Sequence, residues 1–424
     1  MSVINVLIFP AGEINSIELH DALSTCVNIR VYGASSIERH GSYVFENYIS
    51  GLPLISDDNF ISVFNEVLKK HKIDVIFPTH DTVAMFLMEH NENLAARVVG
   101  SSKETAEICR DKQKIYDLFN DTTFVPSVYS SISKYPVFIK PREGQGAKGA
   151  LPIFGDSDIP QSINLDNYVI CEYLPGEEYT VDCLTDKNGG LVVASPRSRL
   201  RTMAGICIEG KNECLTQEIK EIAEEINKRL FLRGLWWFQI KRDKNGNWKL
   251  LEISVRCSGT MCLTRALGIN IPLMSVYVAM GYEVKQPNVM YNVHMDRAFI
   301  ARYKTDLVYD VAYVDFDDTI TIRGELNLKM MWFLYQCKNK NIRVILITKH
   351  ANELYTTLSQ YHIDPSIFDE IIHIPMDALK SSYIKHEKAI FIDNAYKERE
   401  EVSQVYHIPV FDVDTVDVLL DWKI

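Results

Sequence analysis

Short apolar runs alternate with helix-like patterns over residues 1 to about 110, and this alternation limits the possible folds more than any other feature. The runs typical of buried strands are VINVLIF, VNIRVYG, DVIFPTHD and ARVVGS. The segments between them that have a helical period are SIELHDAL and NFISVFNEVLKKHK. Strands that alternate with helices favour a parallel sheet covered by helices. The sequence therefore predicts a small parallel α/β domain over residues 1–110.

The same alternation returns from about residue 306, in the runs VAYVDFD, VILITKH and AIFIDN. Between the two alternating regions the chain is richer in hairpin signals and carries its densest polar motifs. At 424 residues the chain is too long for one hydrophobic core. No internal repeat or Pro/Gly-rich linker separates the regions. We expect an α/β protein with three packed domains, over residues 1–110, 111–304 and 305–424.

Composition excludes several classes of protein. Hydrophobic residues make up 47% and charged residues 24%, and no apolar run approaches the ~20 residues of a membrane helix. The start, MSVINVLIFPAGE, lacks a basic leader, so we expect a cytoplasmic protein. The formal charge of -11 argues against a general nucleic-acid surface, but it allows a local basic pocket for small anions. Nine cysteines without a CxxC pair favour free thiols over disulfides or a zinc site.

A glycine-rich loop lies in VFIKPREGQGAKGALPIF, where Gly144, Gly146 and Gly149 form a literal G-x-G-x-x-G. In a dinucleotide-binding domain a helix would follow, but ALPIF is strand-like. We therefore expect a flap between antiparallel strands, whose backbone N–H groups close over phosphates. Lys140 ends the strand before the flap, and Lys148 lies within it. Taken alone, the motif is equally compatible with a plain glycine turn.

Two further segments supply candidates for nucleotide binding. Lys112, in ICRDKQKIYDLF, begins an amphipathic helix and could reach a phosphate, although such a lysine alone is more often solvated surface. The strand in YVICEYLPGEEYTVDCL ends in a stretch that includes Glu172 and Leu174, before a Pro-Gly turn. This hinge can present backbone groups to the edge of an adenine. Glu178, just beyond it, could bind the ribose hydroxyls.

The segment GLWWFQIKRDKNGNWKLLEISVR predicts a β-hairpin that turns at Asn245-Gly246. Pairing residues whose numbers sum to about 491 places Gln239 opposite Glu252. Oxygen ligands on neighbouring strands can share Mg2+ ions that bridge nucleotide phosphates, because Mg2+ binds through a few carboxylates plus the substrate. Gln239 and Glu252 are therefore candidate metal ligands.

The order of these segments over residues 1 to about 304 resembles the ATP-grasp superfamily. It is most similar to the carboxylate-amine ligase branch, which includes carbamoyl phosphate synthase and D-alanine ligase-like enzymes. The resemblance implies a Rossmann-like domain before an ATP-grasp α+β domain, with ATP and Mg2+ bound and Mn2+ as a substitute. The residues it assigns to the nucleotide are Lys112, Lys140, Gly144, Gly146, Lys148, Gly149, Glu172, Leu174 and Glu178. Those it assigns to the metal are Gln239, Glu252 and Ser254.

The final motif of that family is usually E-x-N-x-R, whereas this chain has Glu252-Ile253-Ser254-Val255-Arg256. Serine is a poorer Mg2+ ligand than asparagine, so the resemblance supports the second metal position less well than the first. By the same resemblance, Arg256 would meet the developing acyl phosphate.

Candidates for substrate binding come from two arginine-containing segments and one strand end. The segments ASPRSRLRTMAGICIEG and CSGTMCLTRALGIN contribute Arg197, Arg199, Arg201 and Arg265. Such side chains can clamp a carboxylate or phosphate, and plain surface arginines remain the alternative. His80 and Asp81, in FPTHDT, follow a strand at the end where open α/β sheets bind ligands. An N-cap by Asp81 and a histidine without a function explain them equally well.

A second set of motifs lies in residues 306 to 424. The stretch VAYVDFDDTITIR packs three aspartates into four positions after a buried strand, and crowded like charges cost free energy unless a cation or a reaction uses them. The residues that resemble the motifs of the haloacid dehalogenase-like phosphatases are Asp315, Asp317, Thr319, Thr348, Lys380 and Asp393. The resemblance implies a Rossmannoid domain in which Asp315 attacks phosphorus and Asp317 acts as acid and then base. Thr348 and Lys380 would hold the phosphoryl oxygens.

The expected Mg2+ ligands in this second set are Asp315, Asp317 and Asp393, and Asn394 stands where the family often has a further acid. The stretches from Asp315 to Thr348 and from Thr348 to Lys380 are too short to hold a cap domain as well as a crossover helix. We therefore expect a capless, open phosphatase site. Such a site suits a substrate that is bulky or is handed over by another domain.

Together the motifs predict a bifunctional enzyme: an ATP-dependent ligase that joins a carboxylate to an amine, fused to a phosphatase. The expected partners are a small-molecule carboxylate and an amine, which could carry a phosphate. Neither nucleic acid nor a membrane is expected, and a homodimer is allowed. Two alternatives stay open: an ATP-binding sensor or scaffold without turnover, and an ATP-grasp kinase opposed by its own phosphatase.

Overall fold

The computed structural model describes residues 2–144, 146–160, 163–287, 291–421 and 423. Gln145, within the predicted flap, lies outside the described residues. The chain divides into two compact units, residues 1–299 (unit 1) and 300–423 (unit 2). Within the described ranges, no helix is both long enough and apolar enough to cross a membrane.

Unit 1 contains both strands and helices. Its strands are β1 (Ile4–Phe9), β2 (Ile29–Ala34), β3 (Asn47–Ile49), β4 (Val75–Pro78), β5 (Arg97–Val98), β6 (Val128–Tyr129), β7 (Val137–Pro141), β8 (Leu151–Ile153), β9 (Tyr168–Glu172), β10 (Glu178–Thr185), β11 (Leu191–Ser198), β12 (Arg201–Met203), β13 (Ile206–Lys211), β14 (Gly234–Arg242), β15 (Trp248–Ser254) and β16 (His294–Asp296). Its helices are α1 (Ile14–Leu23), α2 (Phe60–Lys70), α3 (Asp81–Glu89), α4 (Lys103–Arg110), α5 (Lys112–Leu118), α6 (Gln217–Arg229), α7 (Cys262–Ala266) and α8 (Ile271–Ala279).

The first sheet of unit 1 is parallel, with the order β3-β2-β1-β4-β5. Its central strands are almost wholly buried. Helix α2 packs through Phe60, Phe64 and Leu68, which recur at helical spacing along its buried face. The parallel α/β region predicted from the alternating sequence is confirmed.

The predicted domains 1–110 and 111–304 share a buried cluster in addition to the clusters that each has alone. Val6 and Ile8 of β1 belong to the same buried cluster as Leu184 of β10, Leu235 of β14 and Ile271 of α8. Apolar side chains from both regions are thus buried together, and the two regions form one compact unit.

Three antiparallel sheets complete the described part of unit 1. Their strand orders are β6-β9-β7-β8, β11-β10-β14-β15 and β12-β13-β16. In the first of these, β7 and β8 pair antiparallel, with Ile139 opposite Leu151. The glycine loop therefore joins two antiparallel strands, as predicted, because a strand and not a helix follows it.

Unit 2 has its own parallel sheet, a small hairpin and three helices within the described residues. Its strands are β17 (Val311–Val314), β18 (Thr321–Ile322), β19 (Glu325–Leu326), β20 (Arg343–Thr348), β21 (Glu370–His373), β22 (Ala389–Ile392) and β23 (Val410–Phe411). Its helices are α9 (Leu328–Asn339), α10 (Leu354–Gln360) and α11 (Tyr396–Tyr406). The parallel sheet has the order β21-β20-β17-β22-β23, and β18 pairs with β19.

The central strand of unit 2, β17, pairs in parallel with β20 on one side and β22 on the other. Val314 lies opposite Leu346 and Ile392. Asp315 directly follows β17, Thr348 ends β20, and Asp393 directly follows β22. The carboxyl ends of parallel strands meet at one edge of a sheet, so this topology gathers the three side chains there.

Candidate functional site

A row of polar side chains crosses the sheet β11-β10-β14-β15 of unit 1. Thr180 on β10 lies opposite Arg197 on β11 and Gln239 on β14, and Gln239 lies opposite Glu252 on β15. Directly opposed residues point to the same face of a sheet. The predicted pairing of Gln239 with Glu252 is confirmed. In the orientation that satisfies its neighbours, the Gln239 amide donates to Glu252 Oε1 (3.2 Å) and accepts from Arg199 Nη1 (3.0 Å).

A small cavity of about 190 Å³ lies beside this row, under the glycine flap. The predicted nucleotide residues that line it are Lys112, Lys140, Gly144, Gly146, Lys148, Glu172, Leu174 and Glu178. Gln239 and Glu252 line the same cavity. Gly149 stands at the base of the flap, where a Cβ atom would come within 2.9 Å of the Tyr168 hydroxyl. The structure thus brings the predicted phosphate, hinge and metal residues together.

The two predicted phosphate lysines are held differently. Lys112 Nζ donates to the Gly144 carbonyl (3.4 Å) and lies 3.9 Å from Glu252 Oε2, so it bridges the flap and the candidate metal ligands. Asp111 caps the helix at its start, accepting from Gln113 N (2.9 Å). Lys140 is buried and donates to the Tyr116 hydroxyl (2.5 Å), and burial lowers the pKa of its ammonium group.

The carboxylates of the hinge region already have partners within the protein. Glu172 Oε1 accepts from Ser127 N (2.9 Å). Glu178 lies 2.7 Å from Arg199 Nε and 3.4 Å from Lys241 Nζ. Glu172 therefore fixes the backbone of the hinge, while Glu178 would have to share its oxygens between a ribose and two cations.

A larger cavity of about 600 Å³ adjoins the small one, because Lys112, Gln239 and Glu252 line both. The predicted site residues in its wall also include His80, Asp81, Gly144, Gly146, Lys148, Arg199, Ser254 and Arg256. This cavity is large enough to hold a small molecule beside the smaller cavity.

Asp81, Arg256 and Ser254 form a network that differs from the sequence-based prediction. Arg256 donates to Asp81 through Nε (2.8 Å) and Nη2 (3.0 Å), and the Ser254 hydroxyl donates to Asp81 Oδ1 (2.9 Å). Burial alone would raise the pKa of Asp81, but Arg256 and Ser254 hold it below its usual range. The Ser254 hydroxyl thus directs its proton to Asp81 and keeps the lone pairs of its oxygen, while most of the Arg256 guanidinium is already engaged.

His80, and not Asp81, caps helix α3. The His80 ring accepts from Thr82 N (3.2 Å), which explains why the backbone after the strand turns into a helix at this point. Burial lowers the pKa of His80, so the neutral ring is favoured. The alternative that Asp81 caps this helix is therefore wrong, because the capping residue is His80, one position earlier.

Two of the predicted substrate arginines lie away from both cavities. Arg201 is exposed and pairs with Glu209 (3.1 Å) and Asp296 (2.9 Å). Arg265 pairs with the buried Glu18 (3.1 Å). Arg197 lies on β11 and Arg199 directly follows it, whereas Arg201 begins β12 in a different sheet, so the spacing of the three arginines in sequence does not place them on one surface.

Several residues in the larger cavity were not predicted from the sequence. They are Glu13, Arg39, Arg110, Thr180, Gly205, Trp237, Ser258 and Thr260. They come from loops, helix ends and strands far apart in the chain, and none belongs to a recognisable motif. Only the period-2 alternation of β10 and β14 could have indicated that Thr180 and Trp237 share the face of Gln239.

Gly205 lies under the flap and gives a direct test of flap closure. It has φ +78°, and a Cβ there would meet the Gly146 carbonyl oxygen at 2.5 Å. Gly205→Ala is expected to raise the KM for ATP about tenfold, because the flap must shift to make room. The measurement is ATP-dependent ADP formation at varied ATP concentration.

Gly246→Ala is the matched control for Gly205→Ala. Gly246 has φ +85° and nothing within 4 Å of its added Cβ. Both variants carry the left-handed backbone cost of roughly 1–2 kcal/mol, but only Gly205→Ala touches the flap. Equal KM values for ATP in the two variants would contradict the idea that the flap must approach Gly205 closely when ATP binds.

A buried ionic cluster lies at the carboxyl edge of the unit 2 sheet. Lys380 Nζ donates to Asp315 Oδ1 and to Asp393 Oδ2, each at 2.6 Å. Burial raises the pKa of Asp315 to about 6, against the opposing effect of Lys380, and burial also raises the pKa of Asp393. For Lys380, burial would lower the pKa, but the two carboxylates raise it overall. The three predicted side chains are thus in contact.

The remaining predicted residues of unit 2 surround this cluster. The Thr348 hydroxyl is fully buried and has no hydrogen-bond partner in the described chain, which fits a role in binding an incoming oxygen atom. Asp317 is exposed, and both its oxygens lie 2.9 Å from His350 Nδ1. Asn394 donates through its backbone N–H to Thr319 Oγ1 (3.1 Å). His350 was not predicted from the sequence, because it lies two residues beyond the motif residue Thr348 and is not part of that motif.

Neither site forms a closed metal cage. Among the residues that the structure describes, no three His, Cys, Asp or Glu side chains are grouped to hold a metal ion. The donor sets Gln239 with Glu252, and Asp315 with Asp393, still fit Mg2+, because Mg2+ usually takes one or two protein carboxylates and completes its shell with phosphate oxygens and water.

Comparison with known proteins identifies the fold of the larger unit. Residues 164–299 match a family model described as ATP-grasp in the biosynthetic pathway with Ter operon. Biotin carboxylase from Campylobacter jejuni, solved as a β-γ-ATP complex, is similar in structure, with a TM-score of 0.55 and 16% identity over 67% of this chain and 72% of that one. Among curated proteins, none matches the sequence.

Two further solved structures are similar to the chain. The L-amino acid ligase from Bacillus licheniformis has a TM-score of 0.54 and 16% identity over 66% of this chain and 75% of that chain. The biotin carboxylase domain dimer of Hydrogenobacter thermophilus 2-oxoglutarate carboxylase, which holds MgADP, ADP and bicarbonate, has a TM-score of 0.53 and 15% identity over 68% of this chain and 72% of its own. The chain therefore carries a mixed α/β ATP-grasp fold, with residues 164–299 matching a model of an ATP-grasp family.

Proposed function

We propose that unit 1 is an ATP-dependent carboxylate-amine ligase that works through an acyl phosphate. The observation that carries this proposal is the pair of adjoining cavities, one under the flap and one beside it, with Gln239 and Glu252 in the wall of both. A nucleotide in the small cavity would present its γ-phosphate to a carboxylate in the larger one. The ligase fold comprises a Rossmann-like domain over residues 1–110 and an ATP-grasp domain over residues 111–304.

In this proposal the small cavity binds ATP. The hinge at Glu172 and Leu174 meets the adenine, and Glu178 meets the ribose. The phosphates are bound by the flap N–H groups together with Lys112, Lys140 and Lys148, which supply positive charge. Gln239 and Glu252 would hold Mg2+, which neutralises charge on the phosphates when it is bound.

The reaction has two steps. A carboxylate oxygen attacks the γ-phosphorus, the bond from that phosphorus to the β-γ bridging oxygen breaks, and ADP leaves. The amine nitrogen then attacks the acyl carbon, the bond from that carbon to the phosphate oxygen breaks, phosphate leaves, and the nitrogen loses a proton to give the amide. Arg199, which contacts Gln239, and Lys112, which lies near Glu252, are placed to stabilise charge on the transferring phosphoryl group.

Binding of ATP without turnover is the competing function for unit 1. The observation in its favour is the engagement of Arg256 by Asp81 through two hydrogen bonds, because this arginine was expected to meet the acyl phosphate. A kinase that phosphorylates a small molecule is the third candidate, and it would form ADP and a stable phosphorylated product without an amide. Product identity separates all three.

For residues 305–424, the predicted C-terminal domain, which lies almost wholly within unit 2, the proposed activity is that of a capless, Mg2+-dependent phosphatase of the haloacid dehalogenase-like type. Support comes from the contact of Lys380 with Asp315 and Asp393, and from the buried Thr348 hydroxyl without a partner. Asp315 is the proposed nucleophile, forming a bond to phosphorus as the ester oxygen leaves. Asp317 gives that oxygen a proton. It then takes a proton from the water that attacks phosphorus, the bond from phosphorus to the Asp315 oxygen breaks, and phosphate leaves.

The two activities can act in sequence on one molecule. If the amine carries a phosphate, the ligase forms a phosphorylated amide, and the phosphatase then removes the phosphate. Of the four arginines that the sequence offers to clamp that phosphate, Arg197 and Arg199 line a cavity, whereas Arg201 and Arg265 are paired elsewhere. The fused chain raises the effective concentration of the phosphorylated amide at the phosphatase.

The experiment that tests the ligase proposal supplies ATP, Mg2+ and a panel of acids with amines and phosphorylated amines. At least one pair is expected to release ADP and phosphate and to give an amide detectable by mass spectrometry. AMP and pyrophosphate as the products would refute the acyl-phosphate route. ADP release without an amide would favour the kinase.

A further inference from the structure

The side chain of Asp317, the proposed acid and base of the phosphatase, is 51% exposed. The backbone of its loop is fixed more firmly, because the Phe316 carbonyl oxygen accepts from the N–H groups of Ile320 (2.9 Å) and Thr321 (3.1 Å). The freedom that remains is the choice of side-chain rotamer. An acid that must reach one oxygen atom of a substrate works best when that choice is made before the substrate binds.

Within the described part of unit 2, the hydrogen-bond partner of the Asp317 side chain is His350. His350 Nδ1 lies 2.9 Å from each Asp317 oxygen. The two residues are 33 positions apart, but Asp317 follows β17 and His350 follows β20, which pairs with β17 in parallel. The carboxyl ends of neighbouring parallel strands lie side by side, so the topology itself brings this ring to the proposed acid.

The His350 ring is fixed by its other contacts. Its side chain is 8% exposed, Nε2 lies 2.8 Å from Thr357 Oγ1, and the ring meets Phe316 edge-on at a centroid distance of 5.3 Å. The carbonyl oxygen of His350 accepts from His373 Nε2 (2.6 Å). Because the ring has already lost its freedom on folding, little further entropy is lost when it holds the exposed carboxyl group in one place.

Thr357 selects which ring nitrogen of His350 carries the proton. A hydroxyl has one proton to donate, and Thr357 Oγ1 lies closer to His350 Nε2 (2.8 Å) than to the Glu353 carbonyl oxygen (3.2 Å). When the hydroxyl donates to Nε2, the neutral ring carries its proton on Nδ1, which faces Asp317. Nδ1–H can then donate to one oxygen of Asp317 while the other oxygen holds the proton that goes to the leaving group.

The contact between His350 and Asp317 gives little stability to the fold, because one partner is half exposed and exposed pairs contribute little. A buried, fixed ring directed at a half-exposed catalytic group is instead the arrangement that sets a side chain in advance for a reaction. Resting on the proposed phosphatase function, we infer that His350 is a positioning residue. It holds Asp317 in the rotamer that meets the leaving oxygen and then the attacking water, and it acts through Asp317 without contacting the substrate.

The test compares two phosphate esters of similar size, benzyl phosphate and 2,4-dinitrophenyl phosphate, with the full chain and Mg2+. Benzyl alcohol is a poor leaving group that needs the proton from Asp317, whereas dinitrophenolate leaves as a stable anion without one. The quantity compared is kcat/KM, because it covers the steps up to departure of the leaving group and not the later hydrolysis of the phosphoaspartate. Loss of a positioned acid should therefore affect the benzyl ester alone.

His350→Leu and His350→Asn separate the hydrogen bond from the bulk of the ring. Leucine places a methyl group where Nδ1 was, whereas the asparagine amide nitrogen is as many bonds from Cα as Nδ1 and can donate to Asp317. A general acid contributes roughly 100- to 10,000-fold, so His350→Leu is expected to lower kcat/KM for benzyl phosphate about tenfold or more, and that for the dinitrophenyl ester by less than about twofold. His350→Asn should stay within about threefold of the unaltered chain for both esters.

Two further variants show whether His350 acts through Asp317. Asp317→Asn should lower kcat/KM for benzyl phosphate by about 100-fold, and adding His350→Leu to it should cause less than about twofold further loss. His362→Asn is the matched control for removal of a histidine, because His362 is exposed, lies between α10 and β21, and has φ 55°, which asparagine tolerates. This control should hydrolyse both esters at the original rates.

The possible outcomes separate this inference from the phosphatase proposal. Equal losses for the two esters in His350→Leu would overturn the inference and show that His350 only supports the fold of the site. Unchanged hydrolysis of benzyl phosphate by His350→Leu, or a full further loss in the double variant, would also overturn it. In each of these cases the unaltered chain still hydrolyses the esters, so the phosphatase proposal stands. If the unaltered chain hydrolyses neither ester, the phosphatase proposal fails and this inference fails with it.

Discussion

Glu252→Gln is expected to lower ATP-dependent ADP formation by about 1,000-fold while leaving hydrolysis of a small phosphate ester by unit 2 at its original rate. Glu252 lies opposite Gln239 and 3.9 Å from Lys112 Nζ. The substitution keeps the size of the side chain but removes the negative charge that a metal would need there. Both rates are measured on the same preparation, so unfolding of the whole chain would be seen as loss of both.

Glu209→Gln is the matched control for Glu252→Gln. The two glutamate side chains are equally exposed, at 29%, but Glu209 pairs with Arg201 outside both cavities. Its ADP formation should stay within about twofold of the unaltered chain, because exposed ion pairs contribute little. If the two variants lost ADP formation equally, the loss in Glu252→Gln would reflect a general effect of removing a carboxylate and not a role of Glu252 in binding a metal.

Asp315→Asn is expected to lower phosphatase activity by about 10,000-fold or more, because the proposed nucleophile is lost. ADP formation by unit 1 should be unchanged. With a phosphorylated amine as substrate, this variant should also accumulate the phosphorylated amide. The measurements are release of phosphate from a small ester and mass spectrometry of the amide.

Asp318→Asn controls for removal of a carboxylate in the same loop. Asp318 is exposed and has φ 53°, a conformation that asparagine also tolerates. This variant should hydrolyse the ester at nearly the original rate. If Asp315→Asn were equally active, the assignment of the nucleophile would be wrong.

Local patterns in the sequence predicted the parts of the fold that local rules determine. The Asn245-Gly246 turn identifies the hairpin, but its register near the turn would place Gln239 opposite Leu251, and a register shift between Gln239 and Ile240 places it opposite Glu252. The strand-like run after the glycines was enough to distinguish a flap from a dinucleotide-binding loop. The edge of the unit 2 sheet was equally predictable, because Asp315 and Asp393 follow strands that are apolar throughout.

The sequence did not predict which side chains that are distant in the chain form ion pairs with each other. Asp81 and Arg256 are 175 positions apart, and nothing in either segment indicates that they form an ion pair. The same holds for Arg197 with Asp182, whose contact depends on the order of β10 and β11 in the sheet. Which arginine faces a cavity depends on where one strand ends and the next begins, and spacing alone does not show that Arg199 lies in the connection between β11 and β12 while Arg201 begins β12.

The most direct test of the ligase proposal uses a substrate acid labelled with ¹⁸O in its carboxylate. During one turnover an acyl phosphate passes one carboxylate oxygen to the phosphate that leaves. We predict that the released inorganic phosphate carries one ¹⁸O atom and that the nucleotide product is unlabelled ADP. Unlabelled phosphate, or label in AMP, would contradict an acyl-phosphate ligase.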